Sequence, residues 1–129
     1  MRVRDIGIKP MRWLASAVLW AVIFSQHPQM RLVPPRLELH ADSSGFASGR
    51  IQVLNSGGEP LDIRQVVPSC KCASATVLKN PVYPLEVGEI LVRVNTQQWK
   101  DTVGTVELEI ETNVARQPTR YTVIVRRTP

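Results

Sequence analysis

From residue 36 onward, hydrophobic and polar side chains alternate in short stretches that are separated by turn residues. The clearest case is residues 103–112, where Val106, Leu108 and Ile110 alternate with three glutamates. A period of two residues places the apolar side chains on one face of a β-strand. Similar patterns predict seven strands, at residues 36–41, 46–55, 61–66, 76–78, 89–95, 103–112 and 120–126.

No stretch after Pro35 has the period of an amphipathic helix. About seven short strands at roughly ten-residue spacing are typical of an immunoglobulin-like sandwich. We therefore predict an all-β fold for residues 36–129, an immunoglobulin-like β-sandwich of about seven strands. Gly49, inside the second predicted strand, is expected to mark a β-bulge.

The N-terminal 25 residues have a different composition. Arg2, Arg4, Lys9 and Arg12 precede an uncharged apolar run from Trp13 to Phe24. A basic region followed by a short apolar run is typical of a secretory signal peptide, and a spanning helix needs about 20 apolar residues. The cleavage pattern around Ser25 is poor, because Ile23 occupies a position that prefers a small residue.

Two alternatives therefore stand for residues 1–25, a cleaved signal peptide or a retained N-terminal membrane anchor, with an apolar helix in either case. Both predict an exported protein in the periplasm or cell envelope. The second alternative adds anchoring to the inner membrane through residues 13–24. Residues 26–35 contain paired prolines, Pro34 and Pro35, and are predicted to be an extended linker.

The net charge of +5 does not indicate a nucleic-acid partner. The four basic residues and Asp5 of the N-terminal region supply +3 of it, which leaves +2 scattered over the remaining chain. A phosphate-binding surface needs clustered basic side chains. The motifs of metalloproteases, phosphate-binding loops and nucleophile elbows are also missing from the sequence, so we expect a protein that is not an enzyme.

The two cysteines, Cys70 and Cys72, form the one chemically distinctive motif. A disulfide requires Cα atoms about 4.4 to 6.8 Å apart. Residues i and i+2 of an extended strand lie at roughly 6.6 Å, so the chain must bend for the bond to close. Two thiols on one side of a strand could instead bind Cu(I), whereas zinc would need more ligands than the chain offers. The residues leave three alternatives open: a disulfide, two incidental thiols, or a metal or redox site at Cys70 and Cys72.

Three other features are expected to be structural. His40 is predicted on the exposed face of a strand, and Trp99 is predicted to fill the rim of the core, with partner binding as its alternative. The acidic row of Glu107, Glu109 and Glu111 is predicted to be a solvated sheet face.

Five segments resemble, in order, the landmarks of the family called domain of unknown function 1573; they are residues 53–57, 60–63, 69–72, 84–90 and 111–113. The most specific is the Ser-Cys-x-Cys motif of residues 69–72. The usual pattern has Gly between the cysteines, Thr after the second and a Pro-Gly turn later. Here those places hold Lys71, Ala73 and Pro84-Leu85. The resemblance implies a secreted or envelope-associated bacterial module with an immunoglobulin-like fold, similar to domains of the major-sperm-protein and pilus-chaperone type.

Two functions from different classes follow. The first is a non-catalytic binding or scaffold module of the envelope, which uses open sheet edges or loops to hold another envelope protein. The alternative is a thiol-dependent protein that binds Cu(I) or exchanges disulfides through Cys70 and Cys72.

Overall fold

The computed structural model describes residues 27–128, and eight strands lie within them. Residues 1–25, predicted to be a signal peptide or anchor, lie outside the described residues. Within 27–128, no helix is long and apolar enough to cross a membrane. The strands are β1 (Met30–Val33), β2 (Leu37–His40), β3 (Phe46–Asn55), β4 (Ile63–Pro68), β5 (Ala73–Val77), β6 (Val87–Asn95), β7 (Val103–Thr112) and β8 (Thr119–Arg126).

The strands form two four-stranded sheets packed face to face. Sheet I has the order β1-β3-β6-β5, and sheet II has the order β2-β8-β7-β4. All neighbouring strands are antiparallel except the pair β2 and β8, which is parallel. This architecture confirms the predicted all-β sandwich, with one strand more than the sequence patterns indicated.

The core lies between the sheets and contains the apolar side chains of the alternating patterns. On β7, Val106, Leu108 and Ile110 are buried, while the glutamates between them are exposed. The same alternation holds along β6, which buries Ile90, Val92 and Val94, and along β8, which buries Tyr121, Val123 and Val125. Complete burial of such a side chain stabilises the fold by about 1.5 to 3 kcal/mol.

Strand β1 lies within the segment that was predicted to be a linker. Its residues pair with β3 in the register Arg31 to Leu54, and Met30 and Leu32 pack against the core. The proline pair follows this strand rather than interrupting it, so the ladder to β3 stays intact. The folded domain therefore begins before residue 36.

The bulge predicted at Gly49 is wrong. Strands β3 and β6 pair through Gly49 and Val92 without a shift in register. A Cβ atom at this position would collide with the side chain of Leu39 from the opposite sheet, so the glycine permits close packing of the two sheets. The irregular pairing lies instead in β4, between Ile63 and Gln65.

Candidate functional site

Residues 69–72 form a corner through which the chain passes from β4 in sheet II to β5 in sheet I. Ser69 continues the ladder to β7, since its N–H donates to the Glu107 carbonyl at 2.8 Å and its Oγ accepts from the Glu107 N–H at 3.0 Å. On the other side, the Asn95 N–H donates to the Cys72 carbonyl at 2.8 Å. The corner is therefore held by both sheets.

Cys70 and Cys72 form a disulfide within this corner. Their Cα atoms are 5.1 Å apart, closer than in an extended strand, because the chain bends. The bend is supported by a hydrogen bond from the Ala73 N–H to the Cys70 carbonyl at 3.3 Å and by one from the Cys72 N–H to Cys70 Sγ at 2.8 Å. The chain thus adopts the bent geometry that the disulfide alternative required.

The predicted Cu(I) site at Cys70 and Cys72 would require reduction of this disulfide, because thiolates bind the metal. Within residues 27–128, no cluster of three or more His, Cys, Asp or Glu side chains is placed to hold a metal ion. Copper binding by the reduced pair stays a prediction.

A shallow depression of about 260 Å³ lies beside the corner, on the outer face of sheet I. It contains two basic side chains and one aromatic ring, and none of its lining residues carries a carboxylate. Lys71 and Arg93 are exposed, and neither forms a salt bridge with any residue of the described chain. Phe46 is 40% exposed. The lining residues are Phe46, Lys71, Cys72, Ala73, Ser74, Arg93, Val94 and Asn95.

These side chains define the chemistry that the depression can offer to a ligand. Two positive charges without an opposing carboxylate attract a carboxylate group. The ring of Phe46 provides apolar contact beside them. The depression therefore suits an acidic group that is attached to an apolar or extended chain.

Strand β5, which starts at the corner, has an open edge. Hydrogen bonds from Asn95 to Cys72 and from Leu78 to Glu89 show that the even-numbered positions of this segment bond to β6. In an antiparallel ladder the alternate residues direct their backbone groups the other way. The N–H and C=O groups of Ala75 and Val77 therefore point away from β6, toward the edge of sheet I.

The other three edge strands carry features that discourage pairing with another chain. Strand β1 has four residues, includes Arg31 and is followed by prolines, and β2 has four residues and includes Glu38. Strand β4 has the irregular register at Ile63 and ends in Pro68, which lacks an N–H at an edge-facing position. The β5 sequence Ala-Ser-Ala-Thr-Val has neither charge nor proline, and its register is continuous.

The structure places the remaining predicted residues apart from the corner. His40 is exposed on β2, and the acidic row on β7 faces outward from sheet II, as predicted. Trp99 packs against the core and lies over Gly104, where a Cβ atom would meet its indole ring. This confirms the prediction that Trp99 fills the rim of the core.

Sequence reasoning missed the role of Asn55, which is buried at the end of β3. Its Nδ2 donates to the carbonyls of Glu59 at 2.7 Å and Val82 at 2.9 Å, and its Oδ1 accepts from the Gly57 N–H at 3.0 Å. The side chain thereby joins two loops. Its position directly before a Ser-Gly-Gly turn was the available signal, since asparagine often bonds the backbone two residues on.

The turn before β6 contains an unusual leucine. The Glu86 N–H donates to the Tyr83 carbonyl at 2.9 Å, and Leu85 has a φ of 67°. This is the glycine-favouring position of a type II turn, and the usual family pattern has glycine there. The Glu86 carboxylate accepts the Tyr83 N–H at 3.0 Å and lies 3.2 Å from the Lys79 ammonium. The backbone hydrogen bond and then Lys79 hold the pKa of Glu86 below its usual value.

The two four-stranded sheets face each other across one core, and their strands are antiparallel except for β2 and β8. This architecture defines the class of the protein as an immunoglobulin-like β-sandwich domain. Residues 41–125 match the family of proteins of unknown function designated DUF1573. The chain belongs to this family, as the motifs in its sequence indicated. Among curated proteins, no sequence relative was found.

Many solved structures share the fold, and three of them illustrate it. A protein of unknown function from Porphyromonas gingivalis W83 is 18% identical, with a TM-score of 0.69 over 79% of this chain and 48% of its own. The YadV chaperone is 16% identical, with a TM-score of 0.60 over 78% of this chain and 52% of its own. The secreted serine protease VesC from Vibrio cholerae is 10% identical, with a TM-score of 0.54 over 80% of this chain and 24% of its own.

The chain spans about half the length of the first of these structures and of the chaperone, and a quarter of the protease. At such low identity the similarity shows the fold and nothing of the activity.

Proposed function

We propose that this protein is a non-catalytic binding module of the bacterial cell envelope that holds an extended segment of another envelope protein along the open edge of β5. The observation that carries the proposal is the contrast between β5 and the other edges. Of the four edge strands in residues 27–128, it alone has no charge, proline or register shift. An edge without such features is suited to accept an added strand.

The basic depression at the start of β5 favours one orientation of the added strand and a partner segment with a negative charge. It begins at Cys72, Ala73 and Ser74, where β5 starts, and includes Lys71 and Arg93. A segment paired with β5 would form main-chain hydrogen bonds with Ala75 and Val77. Its acidic residue, or a terminal carboxylate, would then lie near the two cations. The preferred partner is an extended segment with a negative charge at one end.

Several features support location in the envelope. The basic region and the apolar run of residues 13–24 favour export, and a disulfide favours an oxidising compartment. The sequence motifs of the common enzyme classes are missing, which supports a non-catalytic role.

A photo-crosslinking experiment in the native host tests the proposal. A photoreactive amino acid replaces Thr76, an exposed residue of β5, and a matched variant carries it at Arg64 on β4. We expect one discrete protein adduct from position 76 and none from position 64. Mass spectrometry then identifies the adduct.

An edge-blocking substitution provides the control. Ala75→Pro removes an N–H that points to the open edge and leaves the bonds of Ser74 and Thr76 to β6 in place. We expect it to reduce the adduct at least tenfold while the domain remains folded. An adduct that persists in a folded Ala75→Pro variant would contradict strand addition at β5.

A further inference from the structure

We propose that the turn between β5 and β6 touches a lipid surface, with Leu85 and Tyr83 at the headgroup level of the membrane. The inference rests on the proposed envelope location, in the form in which the apolar segment of residues 13–24 is retained as an anchor. It concerns a surface at the opposite end of the sandwich from the disulfide corner.

The first observation is a concentration of exposed apolar side chains in one segment. Residues 78–87 include four exposed large apolar side chains, those of Leu78, Tyr83, Leu85 and Val87. Leu85 is 89% exposed, the highest value among the large apolar side chains of residues 27–128. Leucine and tyrosine are residue types that enter the interfacial region of a bilayer.

The second observation is the backbone of Leu85. Its φ of 67° lies in the left-handed region, which is unfavourable for a residue with a Cβ atom. The side chain is too exposed for packing within the domain to compensate for this strain. The hydrogen bonds of the turn hold this conformation, and strained residues of this kind cluster at sites that contact a ligand.

The third observation is where the chain enters the domain. The Leu85 N–H donates to the Asn55 carbonyl at 2.8 Å, and the next residue, Ser56, donates its N–H to the Gln29 carbonyl at 3.1 Å. The Gly58 N–H donates to the His27 carbonyl at 3.1 Å. Leu85 therefore lies beside the first described residues. An apolar depression of about 150 Å³, lined in part by Leu54, Leu85 and Val87, faces the same side.

The length of the intervening chain then limits how far the domain can lie from the membrane. Only Ser25 and Gln26 separate Phe24, the end of the apolar run, from His27. Three Cα spacings span at most roughly 11 Å, and the polar layer of one leaflet is about 5 to 8 Å thick. For a retained anchor whose apolar run ends at the hydrocarbon boundary, this length keeps the turn at Leu85 within reach of the headgroups.

The test uses the full chain in vesicles of phosphatidylethanolamine and phosphatidylglycerol. An environment-sensitive fluorophore is attached through Leu85→Cys, with the native disulfide kept oxidised. The matched control is Val103→Cys, because Val103 is 46% exposed and lies at the opposite end of the sandwich. We expect blue-shifted emission and quenching by brominated lipids at position 85, and neither at position 103.

Each outcome decides a different part of the proposal. A water-like spectrum at position 85, with the chain still bound to vesicles after a carbonate wash, would overturn the lipid contact and leave the anchor intact. Loss of the chain from the vesicles would overturn both, while crosslinking at β5 would be unaffected.

A second variant tests whether Leu85 serves the fold. Leu85→Gly removes the left-handed strain, so we expect the unfolding temperature of the full chain in mild detergent to rise by about 4 °C. A decrease would show that the leucine packs within the domain, and would overturn a role at the membrane.

Discussion

At the scale of single residues, Tyr121 links strand β8 to the segment between β1 and β2. The side chain is buried, and its hydroxyl donates to the Pro34 carbonyl at 2.6 Å. Burial disfavours the phenolate and raises the pKa of Tyr121 to about 12. The neutral form, which can donate the hydrogen bond, is therefore the stable one in the fold.

We expect this hydrogen bond to be lost in alkali. In the unfolded chain the phenol ionises near its usual pKa of 10.0, whereas the folded chain keeps the proton up to about pH 12. The stabilisation is complete below pH 10 and is lost as the pH rises to about 12. At neutral pH, Tyr121→Phe should cost about 1 to 2 kcal/mol of unfolding free energy.

Denaturant unfolding of both proteins, from about pH 8 to 12, checks this prediction. The stability difference between wild type and Tyr121→Phe should shrink as the pH rises, because only the wild type has the ionising group. A difference that stays constant across this range would contradict the assignment.

Asn55 provides a second prediction at this scale. Asn55→Asp keeps the shape of the side chain but replaces the amide NH2 group by a carboxylate oxygen. That oxygen accepts hydrogen bonds and cannot donate to the Glu59 and Val82 carbonyls. We expect a loss of about 3 kcal/mol or more, measured by denaturant unfolding at pH 7. The control is Asn113→Asp, because Asn113 donates to the Pro60 carbonyl at the exposed surface. This substitution should lower the unfolding free energy by clearly less. Equal losses would contradict the importance of burial.

At the scale of elements, the disulfide corner adds little to global stability. A bond that closes a three-residue loop restricts the unfolded chain by only about 1.6 kcal/mol. The hydrogen bonds of Ser69 with Glu107, and of Cys72 with Asn95, do not depend on the sulfur atoms. We expect replacement of both cysteines by serine to lower the unfolding free energy by no more than this amount, as measured with denaturant. A loss more than twice as large would show that the bond organises the sandwich itself.

The reduced pair also decides the copper alternative. An anaerobic titration of the reduced domain with Cu(I) compares the wild type with Cys72→Ser. We expect weak binding that the substitution leaves unchanged. A one-to-one complex that disappears in Cys72→Ser would instead favour a thiol-dependent metal protein.

Hydrogen exchange can test the open edge of β5 residue by residue. The amides of Ser74 and Thr76 bond to β6, whereas those of Ala75 and Val77 face the edge. We expect fast exchange at the second pair and slow exchange at the first, as measured by NMR at neutral pH. Equal protection at all four positions would show that another part of the chain covers this edge.

At the scale of the whole molecule, alternation was sufficient to predict the sandwich but not all of its strands. Strands β3 and β7 have the predicted bounds, because a ten-residue alternation is a strong local signal. Strand β1 was missed because an extended linker and a short edge strand look alike in sequence. They differ only in the partner, and its partner Leu54 lies 23 residues after Arg31 along the chain.

The candidate site was predictable only in part, for the same reason. The cysteine pair is local and was recognised from its spacing. Phe46, Lys71 and Arg93 are separated in sequence, and the strand register alone brings them to one depression. The unprotected edge of β5 also depends on strand order, which side-chain patterns do not specify.

The division of the first two strands between the sheets limits where the polypeptide can be trimmed. Proteolysis before Met30 would leave both β1 and β2 in place. A protein that starts at residue 36 would lack β1, the neighbour of β3, and Pro34, whose carbonyl accepts the hydrogen bond of the Tyr121 hydroxyl. We expect such a shortened protein to self-associate through the unpaired edge of β3, which size-exclusion chromatography would detect. A protease that processes this protein must therefore cut before Met30, so that strand β1 and Pro34 stay in the folded domain.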